Sequence, residues 1–183
     1  MSTFNCAIKF VTDYLQARYS EKAKEELVDQ TSKGIQDVDK EIIDQFLYQD
    51  EKGIYIPAVQ LQKCLEASSR ATKWKKTKSN WLKWVIAYLT IIPSCIYLEK
   101  KEPDNILVSY PKRKDGSRVK TIHPVFNAGL QIEFSIIISD PEEQYTDRDI
   151  LSLLKKAGLM FGIGGRRSDK FGRFEVIKFE KKK

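Results

Sequence analysis

From Phe4 to Val11 the apolar side chains Phe4, Cys6, Ile8 and Phe10 alternate with Asn5 and Lys9, the period of a half-buried β-strand. Helical spacing follows over about 20–31 and 37–48, the second stretch carrying Val38, Ile42, Ile43, Phe46 and Leu47 on one side. Gly53 to Pro57 reads as a short strand, and Pro57 suits the entry of a helix from Ala58 to about Arg70, since proline fixes φ and lacks the N–H a first turn leaves unpaired. Val59, Leu61, Leu65 and Ala67 mark its expected buried side. A loop around 71–80 then leads into an amphipathic segment through Trp81 and Trp84, two indoles expected in the core because large aromatics usually bury.

Strand signals gather in the second half. Ser94 to Leu98 and Asn105 to Tyr110 are rich in β-branched and aromatic residues, and Asp115-Gly116 supplies a tight-turn signature before Val119 to Ile122, so a hairpin is expected. Gln131 to Ile138 alternates and then becomes wholly apolar, which suits a central strand. Thr146 with Asp149 three residues on reads as an acidic capping box opening a helix whose packed face is Ile150, Leu151, Leu153, Leu154 and Ala157, with Gly158 as the residue that ends it. Arg173 to Phe179 alternates as a last strand. The pattern is α+β, an antiparallel sheet with helices on one face, in a single domain of 183 residues, long enough for one core and short for two.

Composition narrows the classes. Hydrophobic residues at 42% and charged residues at 31% are globular values, and the most apolar run, Trp84 to Leu98, is interrupted by Thr90, Pro93 and Ser94 and too short to span a bilayer. No membrane association is expected. The N-terminal stretch lacks the basic and apolar regions of a secretion signal, which favours the cytoplasm. Cys6, Cys64 and Cys95 are three, widely spaced and without a CxxC pair, so buried thiols are expected rather than disulfides or a zinc site. No carboxylates converge on a metal-ligand pattern, and neither metal nor cofactor is expected.

The net charge of +7 favours a polyanionic partner, and its distribution is uneven. Residues 20–52 are acidic and offer a docking surface for a protein partner or a second copy rather than for phosphate. Lys73, Lys75 and Lys76 surround Trp74, and the hairpin of residues 111–122 carries Lys112, Arg113, Lys114 and Arg118 at its tip. Basic groups meet phosphates and an exposed indole stacks on unpaired bases.

The densest coincidence of geometry and charge lies in residues 162–173. Gly162, Gly164 and Gly165 permit positive φ and a close approach of backbone to ligand, while Arg166, Arg167, Lys170 and Arg173 clamp phosphate or stack on bases. A strand follows this loop instead of a helix, and the lysine-hydroxyl ending is absent, so neither a P-loop nor a dinucleotide fold is meant.

With the strand–helix–strand–strand–helix–strand order, these residues resemble the RAMP superfamily of CRISPR-associated RNA-binding proteins, whose ferredoxin-like domains carry a glycine-rich loop before the last strand. Tyr55-Ile56-Pro57-Ala58, His123 to Phe126 and the ending from Gly162 to Val176 are also similar to phage and archaeal-virus proteins of that style. The resemblance implies a ferredoxin-like (RRM-like) core of strands about 4–11, 105–110, 130–138 and 172–179 with helices 58–70 and 146–157. Residues 12–53 become a helical insertion and 111–122 a basic hairpin. It further implies single-stranded RNA contact by the loop, the hairpin and the lysine-tryptophan segment.

Single-stranded DNA is an alternative ligand, since stacking and phosphate contacts ignore the sugar unless the 2′-hydroxyl is read. His123, the one histidine, is the sole candidate catalytic residue, for a metal-independent endoribonuclease; with no partner base beside it, a non-catalytic binder is expected. A third reading is a virus-encoded interaction module, such as a CRISPR inhibitor, docking through 20–52.

Overall fold

The computed structural model describes residues 1–16, 18, 40–72, 81–110, 116, 120–142 and 145–182. In chain order these form β1 (Ser2–Phe10), β2 (Tyr14–Leu15), α1 (Lys40–Asp44), β3 (Gln49–Asp50), β4 (Gly53–Pro57), α2 (Ala58–Ala71), α3 (Trp81–Tyr88), β5 (Leu89–Ile92), β6 (Cys95–Tyr97), β7 (Asn105–Ser109), β8 (Thr121–Phe126), β9 (Gln131–Ile138), α4 (Asp147–Met160), a 3₁₀ turn at Arg167–Asp169, and β10 (Phe174–Lys181). The expected helices at 20–31 and before residue 40 lie outside the described residues.

Four strands make the main sheet in the order β10-β1-β9-β5, every pair antiparallel. Alternation decides its faces. Phe4, Cys6, Ile8 and Phe10 of β1 and Ile132, Phe134, Ile136 and Ile138 of β9 are buried, under α2 and α4, which also pack on each other. The mixed α+β architecture with antiparallel sheets is therefore the one the sequence pattern predicts, with β9 central as its apolar run requires. Two smaller sheets, β2-β8-β7 and β3-β4-β6, flank it. Gln16, fully buried, ties them together: its amide donates to the Tyr55 carbonyl at 3.0 Å, its side-chain oxygen accepts from the Tyr48 N–H at 2.7 Å, and its own N–H reaches the Pro124 carbonyl at 3.0 Å. A buried amide satisfied on both ends fixes orientation as well as contributing stability.

Several boundaries differ from the sequence pattern. Leu89–Ile92, hidden in a continuous apolar run, pairs with β9 as the fourth strand, whereas Asn105–Ser109, expected in that place, pairs with β8 instead. Residues 12–53 supply β2 and β3 besides the short α1. Gly158 does not end α4: it is buried inside the helix, where a Cβ would sit 2.2 Å from the Phe174 carbonyl oxygen, so it lets α4 lie against β10. Gly162, at φ +67 and with its N–H on the Ala157 carbonyl, turns the chain out of the helix. The capping box forms as expected, Asp149 Oδ2 accepting from the Thr146 N–H at 2.9 Å and hydroxyl at 2.8 Å, an arrangement contributing about 1 kcal/mol. Trp81 and Trp84 are core residues, and the Trp84 indole donates to Asp140 at 2.8 Å. Cys6 and Cys64 are buried free thiols, their pKa raised to about 12 by desolvation; Cys95 is free but only half-buried. No helix among the described residues is long and apolar enough to cross a membrane.

Candidate nucleic-acid interface

The segment between α4 and β10 is a loop pinned to its own scaffold. Its neck closes where the Ile163 N–H donates to the Gly172 carbonyl at 3.0 Å. A Cβ on Gly162 would lie 2.6 Å from the Gly172 oxygen, and one on Gly172 1.7 Å from the Ile163 oxygen. Both residues have positive φ, +67 and +70, so only glycine meets the steric and dihedral demands together. Beyond the neck, Gly164 at φ +87 rests on Tyr14 and the Leu15 carbonyl, the nearest atom 2.5 Å from a would-be Cβ. Gly165 donates to the Leu15 carbonyl and Gly172 to the Asp13 carbonyl, each at 2.8 Å. Thr12 adds two links, donating to the Lys170 carbonyl and accepting from the Arg173 N–H, each at 2.9 Å.

The glycines have a structural part in the loop. They bring the loop close to β2 and to itself, and the Gly165 N–H, spent on Leu15, is not offered to an anion. The positive charge offered to an anion here is carried by side chains. Those side chains are presented by a 3₁₀ turn between Arg166 and Lys170, both left-handed at φ 49 and 68, a conformation that costs a non-glycine residue about 1 kcal/mol. Asp169 offsets part of that cost by accepting from Arg166 Nε at 2.8 Å and pairing with its Nη2 at 2.7 Å. The Arg167 guanidinium has no such partner among the described residues. Arg173 reaches under the loop to the Arg167 carbonyl through Nη2 at 3.3 Å, while its Nη1 is buried without a hydrogen-bond partner among the described residues, a loss of about 1–3 kcal/mol until an acceptor arrives.

The loop forms one wall of an open cleft of about 1290 Å³. Gly164, Gly165, Arg166, Arg167 and Arg173 line it; Gly162 and Lys170 stand at the neck and at the end of the turn, outside the lining. The opposite wall is α2, through Val59, Gln60, Lys63 and Ala67, and the base of the β7–β8 hairpin, through Ser109, Tyr110, Thr121 and His123. Among the described residues, four cations, Lys63, Arg166, Arg167 and Arg173, thus share a cleft with one lining carboxylate, Asp169. Lys63 is also paired, with Glu66 at 2.8 Å.

His123 lines the cleft but is 5% exposed, with Nδ1 3.4 Å from the Gln16 carbonyl. Burial holds its pKa below the ordinary value, the Gln16 hydrogen bond opposing and the Arg166 charge assisting. Lys73, Trp74, Lys75 and Lys76, and the hairpin-tip residues Lys112, Arg113, Lys114 and Arg118, lie outside the described residues. Lys63, Gln60, Tyr110 and Val59 were not anticipated as site residues. Val59 was expected in the core, yet it is 57% exposed, and an apolar residue one position off the buried stripe of α2 was the available signal.

The outward face of the main sheet is different in kind. It shows Asn5, Lys9, Glu133, Ser135, Ile92, Glu175 and Lys178 and no aromatic side chain, so it lacks the stacking platform that an RRM sheet uses.

No family model matches the chain, and no curated protein matches it. Among solved structures, a chain of a Type IV-B CRISPR complex has a similar fold, with a TM-score of 0.53 over 95% of this chain and 89% of that one at 11% identity.

Proposed function

We propose that this chain binds single-stranded RNA in the cleft beside its glycine-arginine loop, as a CRISPR-associated protein of RAMP-like, ferredoxin-like fold. The strand order β10-β1-β9-β5, with α2 between β1 and β5 and α4 between β9 and β10, supports the ferredoxin-like assignment. The fold likeness to a Type IV-B CRISPR complex chain supports the setting and, with it, protein partners and a cytoplasmic location. The observation that carries the reading is the convergence of Arg166, Arg167, Arg173 and Lys63 on one cleft, with a buried guanidinium nitrogen that has no acceptor among the described residues. Charge-assisted hydrogen bonds to phosphate oxygens answer both features.

The test is a filter-binding titration of RNA and DNA single strands of equal sequence against the parent and an Arg166→Ala, Arg167→Ala double variant. The double variant is expected to lose about 1–3 kcal/mol of RNA affinity while unfolding at an unchanged temperature. The slope of log affinity against log salt is expected to become shallower by about 0.7 for each phosphate contact removed. Equal affinity of parent and variant would remove the loop as the site, and tighter DNA than RNA binding would move the reading to single-stranded DNA.

A further inference from the structure

The arginines account for part of the cleft lining only. Exposed apolar side chains share the lining: Val59 on the first turn of α2, Tyr110 just after β7 and Met160 at the end of α4 are 57%, 40% and 54% exposed. They come from three separate parts of the chain and line the same cavity. Leaving such groups in water forgoes roughly 25 cal/mol for every Å² of apolar surface, and exposed apolar lining in a cavity with convergent polar groups suits a ligand.

The polar groups among them suit an occupant with both donors and acceptors. The Ser109 and Thr121 hydroxyls lie 2.7 Å apart at the cleft wall. Gln60 accepts from the Tyr14 hydroxyl through Oε1 at 3.0 Å, and its amide group remains part of the lining. A nucleic-acid duplex presents this surface with sugar and phosphate and keeps its base faces stacked away. An unpaired nucleotide presents a flat apolar ring, hydrogen-bonding ring edges and, one sugar away, a charged phosphate.

We infer that the cleft contains a nucleobase subsite, in which an unpaired base rests against Val59, Tyr110 and Met160 while its phosphate meets Arg167 and Arg173. The inference rests on the RNA-binding reading above and adds to it what is recognised: the base as well as the backbone. Aromatic and apolar contact with a base face is tolerant of sequence, so the subsite favours single strands over duplexes without fixing which base enters.

The experiment compares oligouridine with an abasic ribose-phosphate oligomer of the same length, titrated into the full chain and into a Val59→Ser, Tyr110→Ala double variant. The parent is expected to prefer oligouridine by about 10-fold. The double variant is expected to bind the abasic oligomer as the parent does, which also reports that it is folded, and to prefer oligouridine by less than about 2-fold. If the parent binds both oligomers equally, and Arg167→Ala weakens both, the base subsite is wrong and the RNA-binding reading stands. A preference that survives in the double variant also overturns the assignment to these residues. If neither oligomer binds, both readings fall together.

Discussion

The cleft and the outward face of the main sheet are built on the same scaffold and differ in what they leave exposed. On the sheet, Lys9 and Lys178 are set among Glu133, Glu175 and Glu180, in register across neighbouring strands, so charges of both signs sit side by side and no ring is presented. At the cleft, among the described residues, four cations face one lining carboxylate, and valine, methionine and tyrosine side chains are exposed. The sheet face shows the plain alternation of strand residues. The cleft departs from it in the left-handed arginine and lysine backbones of its loop and in a buried guanidinium nitrogen without a hydrogen-bond partner among the described residues, and local departures of this sort are expected at functional sites.

The sharpest way to break the comparison is to break the loop without touching its charges. In Gly172→Ala the added methyl meets the Ile163 carbonyl at 1.7 Å at a backbone φ of +70, where main-chain atoms cannot yield as a flexible side chain would. A loss of about 3 kcal/mol of stability is expected, read as a fall of about 10 °C in Tm. RNA affinity should fall with it, because the arginines lose their platform. A variant that melts with the parent would show that the neck is not the constraint described.

Within the loop the two leading arginines should not be equal. Asp169 already holds Arg166, whereas the Arg167 guanidinium has no such partner among the described residues. Arg167→Ala is therefore expected to cost about 1–2 kcal/mol of RNA affinity and Arg166→Ala less. Asp169→Asn, which frees Arg166, should tighten binding by a few tenths of a kcal/mol. Equal losses in isothermal titration of the two alanine variants would contradict the pairing as the source of the difference.

The buried wall of the cleft has a pH signature of its own. Burial lowers the His123 pKa from the 6.5 of the free side chain, so the unfolded chain takes up its proton at a pH where the folded chain does not. Stability from this group is present above pH 6.5 and is lost as pH falls through that value toward the lower folded pKa. Denaturant unfolding at a series of pH values should show this component, and His123→Gln should lack it. An identical pH profile in the variant would mean that the ring is solvated.

Much of the scaffold was legible in the sequence because one periodicity governed each segment. Phe4 to Phe10 and Gln131 to Ile138 are alternating strands, Thr146 and Asp149 form their cap, and the turn signature at Asp115-Gly116 falls between two strands that do pair. Legibility ended where elements of different period abut without a breaker. Tyr88 and Leu89 are the last residue of a helix and the first of a strand, with no glycine or proline between them, so the fourth strand of the main sheet was placed at 105–110. The glycine loop was found, but its mechanism was not. Whether a glycine approaches a ligand or its own chain depends on Tyr14 and Leu15, some 150 residues away in sequence. The cleft was half legible for the same reason, as Val59, Lys63 and Tyr110 become its wall only through tertiary packing.

The smallest expected effect is the control that gives the comparison its meaning. Lys9 and Lys178 are both cations, and Lys178 is as accessible as Arg166, with side-chain exposures of 43% and 36%, so counting charge alone would rank them as comparable phosphate ligands. Their surroundings argue otherwise. Lys178 pairs with Glu180 at 3.6 Å, Lys9 sits in register beside Glu175, and neither lines the cleft. Exposed pairs of this kind are worth at most about 1 kcal/mol and are screened at physiological salt within about 8 Å. Replacing both lysines by alanine removes two positive charges, the same number as Arg166→Ala with Arg167→Ala. The lysine variant is expected to change RNA affinity by less than about 0.5 kcal/mol in the titration in which the arginine variant loses about 1–3 kcal/mol. Equal losses would mean that RNA senses only the net charge of the molecule, and the distinction between cleft and sheet face would have no bearing on binding.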